Sequence, residues 1–144
     1  MTAPAQAGPA KPEPVPTPET RPFWEGCAAG ELRIQRCTPC DRYVFYPRPL
    51  CPHCGAGDLE WVTSDGTATL HSYVISHRPA PGFAGDVPYV IAVVELPEGV
   101  RMMTNLVNVD PDPDRLPLDL PLRVVFQQRG AVSLPLFEPA GEAR

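Results

Sequence analysis

Four cysteines in the segment CTPCDRYVFYPRPLCPHC have the residue type and spacing needed to bind a metal ion. Cys37 and Cys40 form one C-x-x-C knuckle, and Cys51 and Cys54 form a second. Two such turns at opposite ends of a hairpin complete the tetrahedral thiolate shell that Zn²⁺ prefers. Because four thiolates leave no open coordination position, we expect a structural zinc site. Iron held by the same ligands, as in a rubredoxin-like electron carrier, is the alternative.

The segment after the knuckles is predicted to be mainly β-structure, because period-two and apolar runs dominate it. Turn signals rich in proline and glycine separate the runs, which indicates a small closed barrel or sandwich. The longest connection lies between the third and fourth runs, and this favours an OB-fold barrel. The five predicted strands are residues 66–77, 89–96, 100–109, 122–128 and 132–137.

The segment before the knuckles divides into two parts by composition. Residues 1–22 hold seven of the 21 prolines, which favours an extended, disordered arm or linker. The stretch from Phe23 to Ile34 is predicted to form a short helix. The expected organisation is an arm at 1–22, a helix at 23–34, a zinc ribbon at 35–62, an OB-fold at 63–140 and a tail at 141–144.

Charge argues against nucleic acid as a partner. The formal net charge is -5, and residues 61–144 carry six arginines against ten acidic residues. A single-stranded nucleic-acid-binding OB module, the alternative function, needs clustered basic charge to neutralise phosphates. No run of about 18 apolar residues predicts a membrane span. The N-terminal residues lack a signal-peptide pattern, so the sequence indicates a cytoplasmic protein.

Basic and aromatic side chains around the knuckles form a candidate surface for docking a protein partner. The alternative for the residues near the knuckles is a solvated face of the ribbon. The alternative for Phe23 and Trp24 is that they cap the core of the following domain. No nucleophile or metal-hydrolase motif is present, so no catalytic residue is assigned. The candidate docking residues are Phe23, Trp24, Arg42, Phe45, Tyr46 and Arg48.

Taken together, these segments resemble the acyl-CoA-associated zinc-ribbon/OB-fold proteins of domain-of-unknown-function family 35 (DUF35). The resemblance covers roughly residues 22–140. The chain is similar in particular to the C-terminal domain of actinobacterial MaoC-like steroid enoyl-CoA hydratases. The matching stretches are FWEG, LRIQRCTPCDRYVFYPRPLCPHCG, LEWV, GTATLHSYVISHRPAPGF, PYVIAVVELPEGVRMMTNLV, PLRVVF and LPLFEPA.

This resemblance implies a fold, a partner and a ligand. The implied fold is mainly β, with a short N-terminal helix, a rubredoxin-like zinc ribbon and a C-terminal five-stranded OB-fold barrel. The implied role is an accessory subunit that binds and activates a thiolase-like, lipid-transfer-protein-type aldolase of steroid (cholesterol) side-chain degradation, which releases a short acyl-CoA. The proline arm would then be a linker to an upstream MaoC-like hydratase domain.

An acyl-CoA ligand at or near that interface requires a cation for phosphates and an apolar slot for pantetheine. The loop after the first barrel strand offers both, and its candidate residues are Arg78, Pro81, Gly82 and Phe83. Asn105 could offer an amide to the thioester arm or form a hydrogen bond within the barrel. By this interpretation the chain is not catalytic alone.

Overall fold

The computed structural model describes residues 11–141, which form one helix, a three-stranded ribbon and a closed five-stranded barrel. The helix and ribbon are α1 (Arg21–Ala28), β1 (Leu32–Cys37), β2 (Tyr43–Val44) and β3 (Leu59–Ser64). The barrel strands are β4 (Thr67–Ser76), β5 (Tyr89–Glu95), β6 (Arg101–Leu106), β7 (Pro121–Arg129) and β8 (Val132–Pro139). No helix in this range is long and apolar enough to cross a membrane.

The barrel has the strand order β4-β5-β6-β8-β7 and closes where β7 pairs with β4. β6 and β8 run parallel, paired at Leu106 and Phe137, while the other neighbouring strands are antiparallel. A 3-10 turn, Pro113–Arg115, lies in the long connection between β6 and β7. Five strands closed in this order form the OB-fold barrel that the sequence predicts.

The helix is shorter than predicted. It ends at Ala28, Gly30 follows with φ +80°, and Leu32–Cys37 is a strand where the prediction placed the last turn of the helix. Glycine adopts this left-handed conformation without steric cost and so ends the helix. Antiparallel pairing along the whole of β1, from Leu32 opposite Ser64 to Cys37 opposite Leu59, then stabilises the strand.

The N-terminal arm differs from a free linker where the structure describes it. Residues 1–10 lie outside the described residues, as do residues 142–144 of the predicted tail. The arm contacts the barrel at two points. Lys11 Nζ lies 2.7 Å from Asp86 Oδ2, and the backbone N–H of Ala131 donates to Glu13 Oε1 at 3.1 Å.

One core joins the helix, β1 and the barrel, and a second, smaller cluster lies inside the ribbon. The first contains Phe23, Leu32 and Ile34 together with barrel residues such as Leu70 and Phe137, all at most 5% exposed. The second consists of Cys37, Val44 and Cys51. So few apolar side chains cannot stabilise the ribbon by themselves. Its stability must come from the bound metal and from the pairing of β1.

Candidate metal centre and adjoining clefts

The four knuckle cysteines converge as their spacing predicts. Their Sγ atoms all lie within 4.8 Å of one another. The Cys37–Cys54 and Cys40–Cys51 Sγ pairs are 3.5 and 3.7 Å apart. A tetrahedral zinc with Zn–S bonds of about 2.3 Å requires sulfur–sulfur edges of about 3.8 Å. The donor set therefore fits a closed four-thiolate zinc site, which has a structural role.

The two knuckles have the same backbone geometry. The N–H of Cys37 donates to the carbonyl of Arg42, and the N–H of Cys51 donates to that of Ala56, each at 2.8 Å. The residue that follows each pair is left-handed, with φ 62° at Asp41 and φ 82° at Gly55. This symmetry places two thiolates from each turn on the same side of the hairpin.

Cys27, the fifth cysteine, does not belong to the metal site. It is 1% exposed and packs in the main core, with the helix that precedes β1. Burial raises the pKa of its thiol to about 12, so it stays protonated and unreactive. The residue acts as a small apolar side chain, as free cysteine usually does.

An apolar cleft of about 340 Å³ lies between α1, the loop that joins the knuckles and strands β6 and β8. Four of the six predicted docking residues line it, namely Phe23, Trp24, Phe45 and Tyr46. The rest of the wall includes Met102, Met103, Leu134 and Leu136. The backbone N–H of Met103 donates to the Tyr46 hydroxyl at 2.9 Å, which ties the ribbon to the barrel at the rim.

The predicted docking residues do not share one surface. Phe23 is only 5% exposed and belongs to the core, which is the alternative that the sequence left open. Arg42 lies beside His53, with Nη1 3.2 Å from Nδ1, away from the apolar cleft. Arg48 is on another side, where Gln35 binds its backbone. Tyr46 remains half exposed at 49%.

A second cleft, of about 240 Å³, lies at the barrel mouth beneath the loop between β4 and β5. Phe83 lines it, whereas the exposed Arg78 and Pro81 are not part of its wall. Two other cations, Lys11 and Arg129, are part of the wall. Lys11 Nζ and the Arg129 guanidinium lie 5.0 and 5.5 Å from the centre of the Phe83 ring. We name this space the Lys11–Arg129 cleft.

Sequence reasoning did not find these two cations. They come from the arm and from the end of β7, and only the fold brings them to Phe83. The sequence does contain one signal for Arg129. It ends a strand two residues after Gln127, and because alternate residues of a strand share a face, the two side chains should lie on the same side. Gln127 also lines the cleft.

Comparison with known proteins agrees with this architecture. Two family models match, described as "ChsH2, rubredoxin-like zinc ribbon domain" over residues 24–60 and "ChsH2, C-terminal OB-fold domain" over residues 61–127. They confirm the ribbon and the OB-fold and meet within β3, between Glu60 and Trp61. The ribbon model and the thiolate geometry together establish structural zinc as the cofactor.

Two curated relatives are hydratase subunits. The chain is 40% identical over 120 residues to a probable enoyl-CoA hydratase alpha subunit of Thermomonospora curvata, covering 82% of this chain and 37% of that protein. It is 38% identical over 128 residues to the 3-oxo-4,17-pregnadiene-20-carboxyl-CoA hydratase alpha subunit of Mycobacterium tuberculosis, covering 88% and 39% respectively. The chain thus spans less than two fifths of either relative.

A solved structure matches most of the chain. A chain of the Ltp2-ChsH2(DUF35) aldolase superposes with a TM-score of 0.79 and 35% identity, covering 90% of this chain and 100% of that one. The resemblance seen in the sequence is thereby confirmed over the helix, the ribbon and the barrel together. This chain belongs to the DUF35 family of zinc-ribbon and OB-fold proteins.

Proposed function

We propose that this chain is an accessory subunit that binds and activates a thiolase-like, lipid-transfer-protein-type aldolase. The reaction would belong to steroid side-chain degradation and release a short acyl-CoA. The observation that carries the proposal is the similarity over 90% of the chain to a chain of the Ltp2-ChsH2(DUF35) aldolase. The pregnadiene carboxyl-CoA named for the Mycobacterium tuberculosis relative supports a steroid thioester as the substrate.

The chemistry of the zinc site supports an accessory role. A closed shell of four thiolates offers no position for water or substrate, so bound zinc would supply structural stability. The cysteines hold the two ends of the loop that joins the knuckles. Tyr46 and Leu50 on that loop are 49% and 57% exposed, and Arg42 and Arg48 are exposed as well. We assign the partner-docking surface to the exposed part of this loop around Tyr46 and Leu50, and Arg42 and Arg48 stay candidates on other sides of the ribbon.

The Lys11–Arg129 cleft is the proposed site for the CoA thioester. Phe83 supplies an apolar wall, and Arg129 supplies a cation that can neutralise phosphate. Gly82, with φ 89°, permits the turn that presents Phe83. Arg78 and Pro81 remain candidates as exposed residues of the same loop.

The proposed setting is the cytoplasm, where reducing conditions keep zinc-binding thiols free of disulfides.

Reconstitution tests this proposal. The chain is co-expressed with a thiolase-like aldolase, and the complex is assayed with a steroid CoA thioester that carries a β-hydroxyl group on its side chain. We expect the two proteins to co-purify and to release a short acyl-CoA, whereas neither protein does so alone. Full activity and stability of the isolated aldolase would refute an activating role.

A matched pair of variants locates the docking surface. Leu50→Asp places a charge on the loop between the knuckles, while Leu118→Asp does the same in the connection between β6 and β7. The two leucines are 57% and 66% exposed, so neither change disturbs a core. We expect Leu50→Asp to weaken aldolase binding about tenfold or more. Equal affinity of the two variants would place the interface elsewhere.

A further inference from the structure

The apolar cleft and the Lys11–Arg129 cleft are neighbours that share part of their walls. Asn105 on β6 and Leu136 on β8 line both. β6 and β8 are paired at Leu106 and Phe137, one residue beyond these two positions. The two clefts therefore meet beside the pairing of β6 with β8.

The clefts differ in their charged groups. Aromatic and aliphatic side chains form most of the wall of the apolar cleft, including Trp24, Met103 and Leu134. The wall of the other cleft also contains apolar residues, such as Phe83, but adds the charged Lys11, Asp86 and Arg129. Lys11 is paired with Asp86, whereas Arg129 has no carboxylate within salt-bridge distance among residues 11–141. A ligand that spans both spaces must be apolar at one end and polar or anionic at the other.

Asn105 lies at the junction with one polar group available. Its Nδ2 donates to the carbonyl of Val90 at 2.9 Å, which fixes the carboxamide against β5. Its Oδ1 accepts no hydrogen bond from any residue that the structure describes. The side chain is half-buried, so this oxygen is reachable by a ligand N–H.

We propose that the apolar cleft binds the acyl portion of a CoA thioester while the Lys11–Arg129 cleft binds the polar CoA portion. Asn105 Oδ1 accepts a hydrogen bond from an amide N–H of the pantetheine arm at the junction. The choice of ligand rests on the proposed function, and the division between the clefts rests on their shared wall and on the charged groups that only the Lys11–Arg129 cleft contains. By this proposal, the subunit itself contributes to acyl specificity.

A chain-length series tests the acyl site directly on this protein. Calorimetric titrations would use free CoA and butanoyl-, hexanoyl- and octanoyl-CoA. Each methylene that leaves water for an apolar wall strengthens binding by up to about fourfold. We expect affinity to rise about two- to fourfold per methylene, with free CoA the weakest ligand.

Two matched variants assign that dependence to the apolar cleft. Met103→Glu puts a carboxylate on its rim, and Val74→Glu puts one on β4 outside both clefts. The two side chains are 62% and 57% exposed, so both variants should fold. We expect Met103→Glu to weaken octanoyl-CoA binding about tenfold or more, to abolish the chain-length dependence and to change CoA affinity less than twofold. Val74→Glu should alter none of these.

Failure of this inference is distinct from failure of the proposed function. Absence of chain-length dependence in the unmodified protein, or its persistence in Met103→Glu, overturns the acyl site. A complex that still co-purifies and cleaves the steroid thioester would then leave the accessory role intact. Conversely, a dependence that Met103→Glu removes supports the acyl site even if no aldolase co-purifies.

Discussion

Gln35 positions the loop between the knuckles through a single side chain. Its Nε2 donates to the carbonyl of Arg48 at 3.0 Å, and its Oε1 accepts from the N–H of Arg48 at 2.8 Å. The residue is 5% exposed and lies on β1, the strand that ends at Cys37. The buried carboxamide thus forms with Arg48 the two backbone hydrogen bonds that a neighbouring strand would otherwise form.

Replacing Gln35 with alanine should destabilise the protein. The change removes both hydrogen bonds that the buried carboxamide makes to the backbone of Arg48, so we expect the free energy of unfolding to fall by about 1–3 kcal/mol. Urea denaturation measures the difference. Gln128→Ala is the matched control, because its exposed carboxamide donates to the nearby carbonyl of Gly130. Equal losses in the two variants would contradict the role given to Gln35.

Glu138 makes stability depend on pH. Its carboxylate accepts from Asn108 Nδ2 and from Arg123 Nε, each at 2.5 Å, and it is only 9% exposed. The hydrogen bond from Asn108, followed by that from Arg123, holds the pKa of this carboxyl below its usual range. A lowered pKa in the folded state adds stability above the unfolded pKa, and that stability is lost as pH falls through the folded pKa.

Glu138→Gln should therefore be destabilising in a pH-dependent way. We expect the variant to be less stable than the unmodified protein at pH 7. The difference should shrink as the pH falls below about 4.3, the ordinary glutamate value. Denaturation at a series of pH values isolates this carboxylate, because the other acidic groups are common to both proteins. A difference that does not change with pH would refute the linkage.

Residue-level prediction from sequence succeeded where the chemistry is local. The thiolates of each knuckle lie three residues apart, so spacing alone determined their convergence. The Lys11–Arg129 cleft was not predictable in this way, because about 118 residues of chain separate its two cations. Arg78 precedes Phe83 by five residues in the sequence, but it is exposed and lies outside the wall of this cleft.

At the level of elements, strand pairing decides the boundaries that local patterns leave ambiguous. The five barrel strands were predictable because alternation and turn residues agree. The end of the helix was not predictable, since the residues LRI, which begin at Leu32, suit a helix or a strand equally well. The strand with which they pair, β3, begins 27 residues after Leu32. β3 itself lies in a segment that the prediction treated as ribbon without assigning a strand.

Gly66 connects the ribbon to the barrel, and its replacement tests that connection. It lies between β3 and β4 with φ +86°, and a Cβ atom there would meet Val124 Cγ1 at 2.9 Å. Gly66→Ala should lower the free energy of unfolding by about 1–3 kcal/mol through backbone strain and this clash. Thermal denaturation reports the change.

Gly85→Ala provides the control for that experiment. Gly85 has space around it, with no heavy atom within 4 Å of the position that an alanine methyl group would take, and its φ is not in the left-handed region. We expect its replacement to leave stability within about 0.5 kcal/mol of the original. A loss as large as that of Gly66→Ala would show that general chain stiffness, and not the β3–β4 junction, is responsible.

For the molecule as a whole, stability comes from two sources connected by one strand. Zinc and a small cluster hold the knuckles, while the main core holds the helix and the barrel. β1 belongs to both, because it begins at the buried Leu32 and ends at the metal-binding Cys37. Loss of metal should therefore unfold the ribbon from the knuckles inward without opening the barrel.

Removal of zinc with a chelator tests this division by hydrogen exchange. We expect the amides of Asp41 and Gly55, which donate to knuckle carbonyls, to lose their protection. Amides deep in the barrel, such as those of Val94 and Phe137, should keep most of theirs. The Tm should fall by about 10 °C or more, because structural zinc contributes strongly to the folding of small domains.

Two cysteine variants distinguish loss of metal from damage to the core. Cys40→Ser should lower zinc content well below one per chain and reproduce the exchange pattern of the chelated protein. Cys27→Ser buries a hydroxyl in the main core and should destabilise the protein by about 1–3 kcal/mol while retaining one zinc. If barrel amides in Cys40→Ser lost as much protection as ribbon amides, the division would be wrong. The metal site and the barrel would then unfold as one unit, because β1 would transmit the whole effect of metal loss.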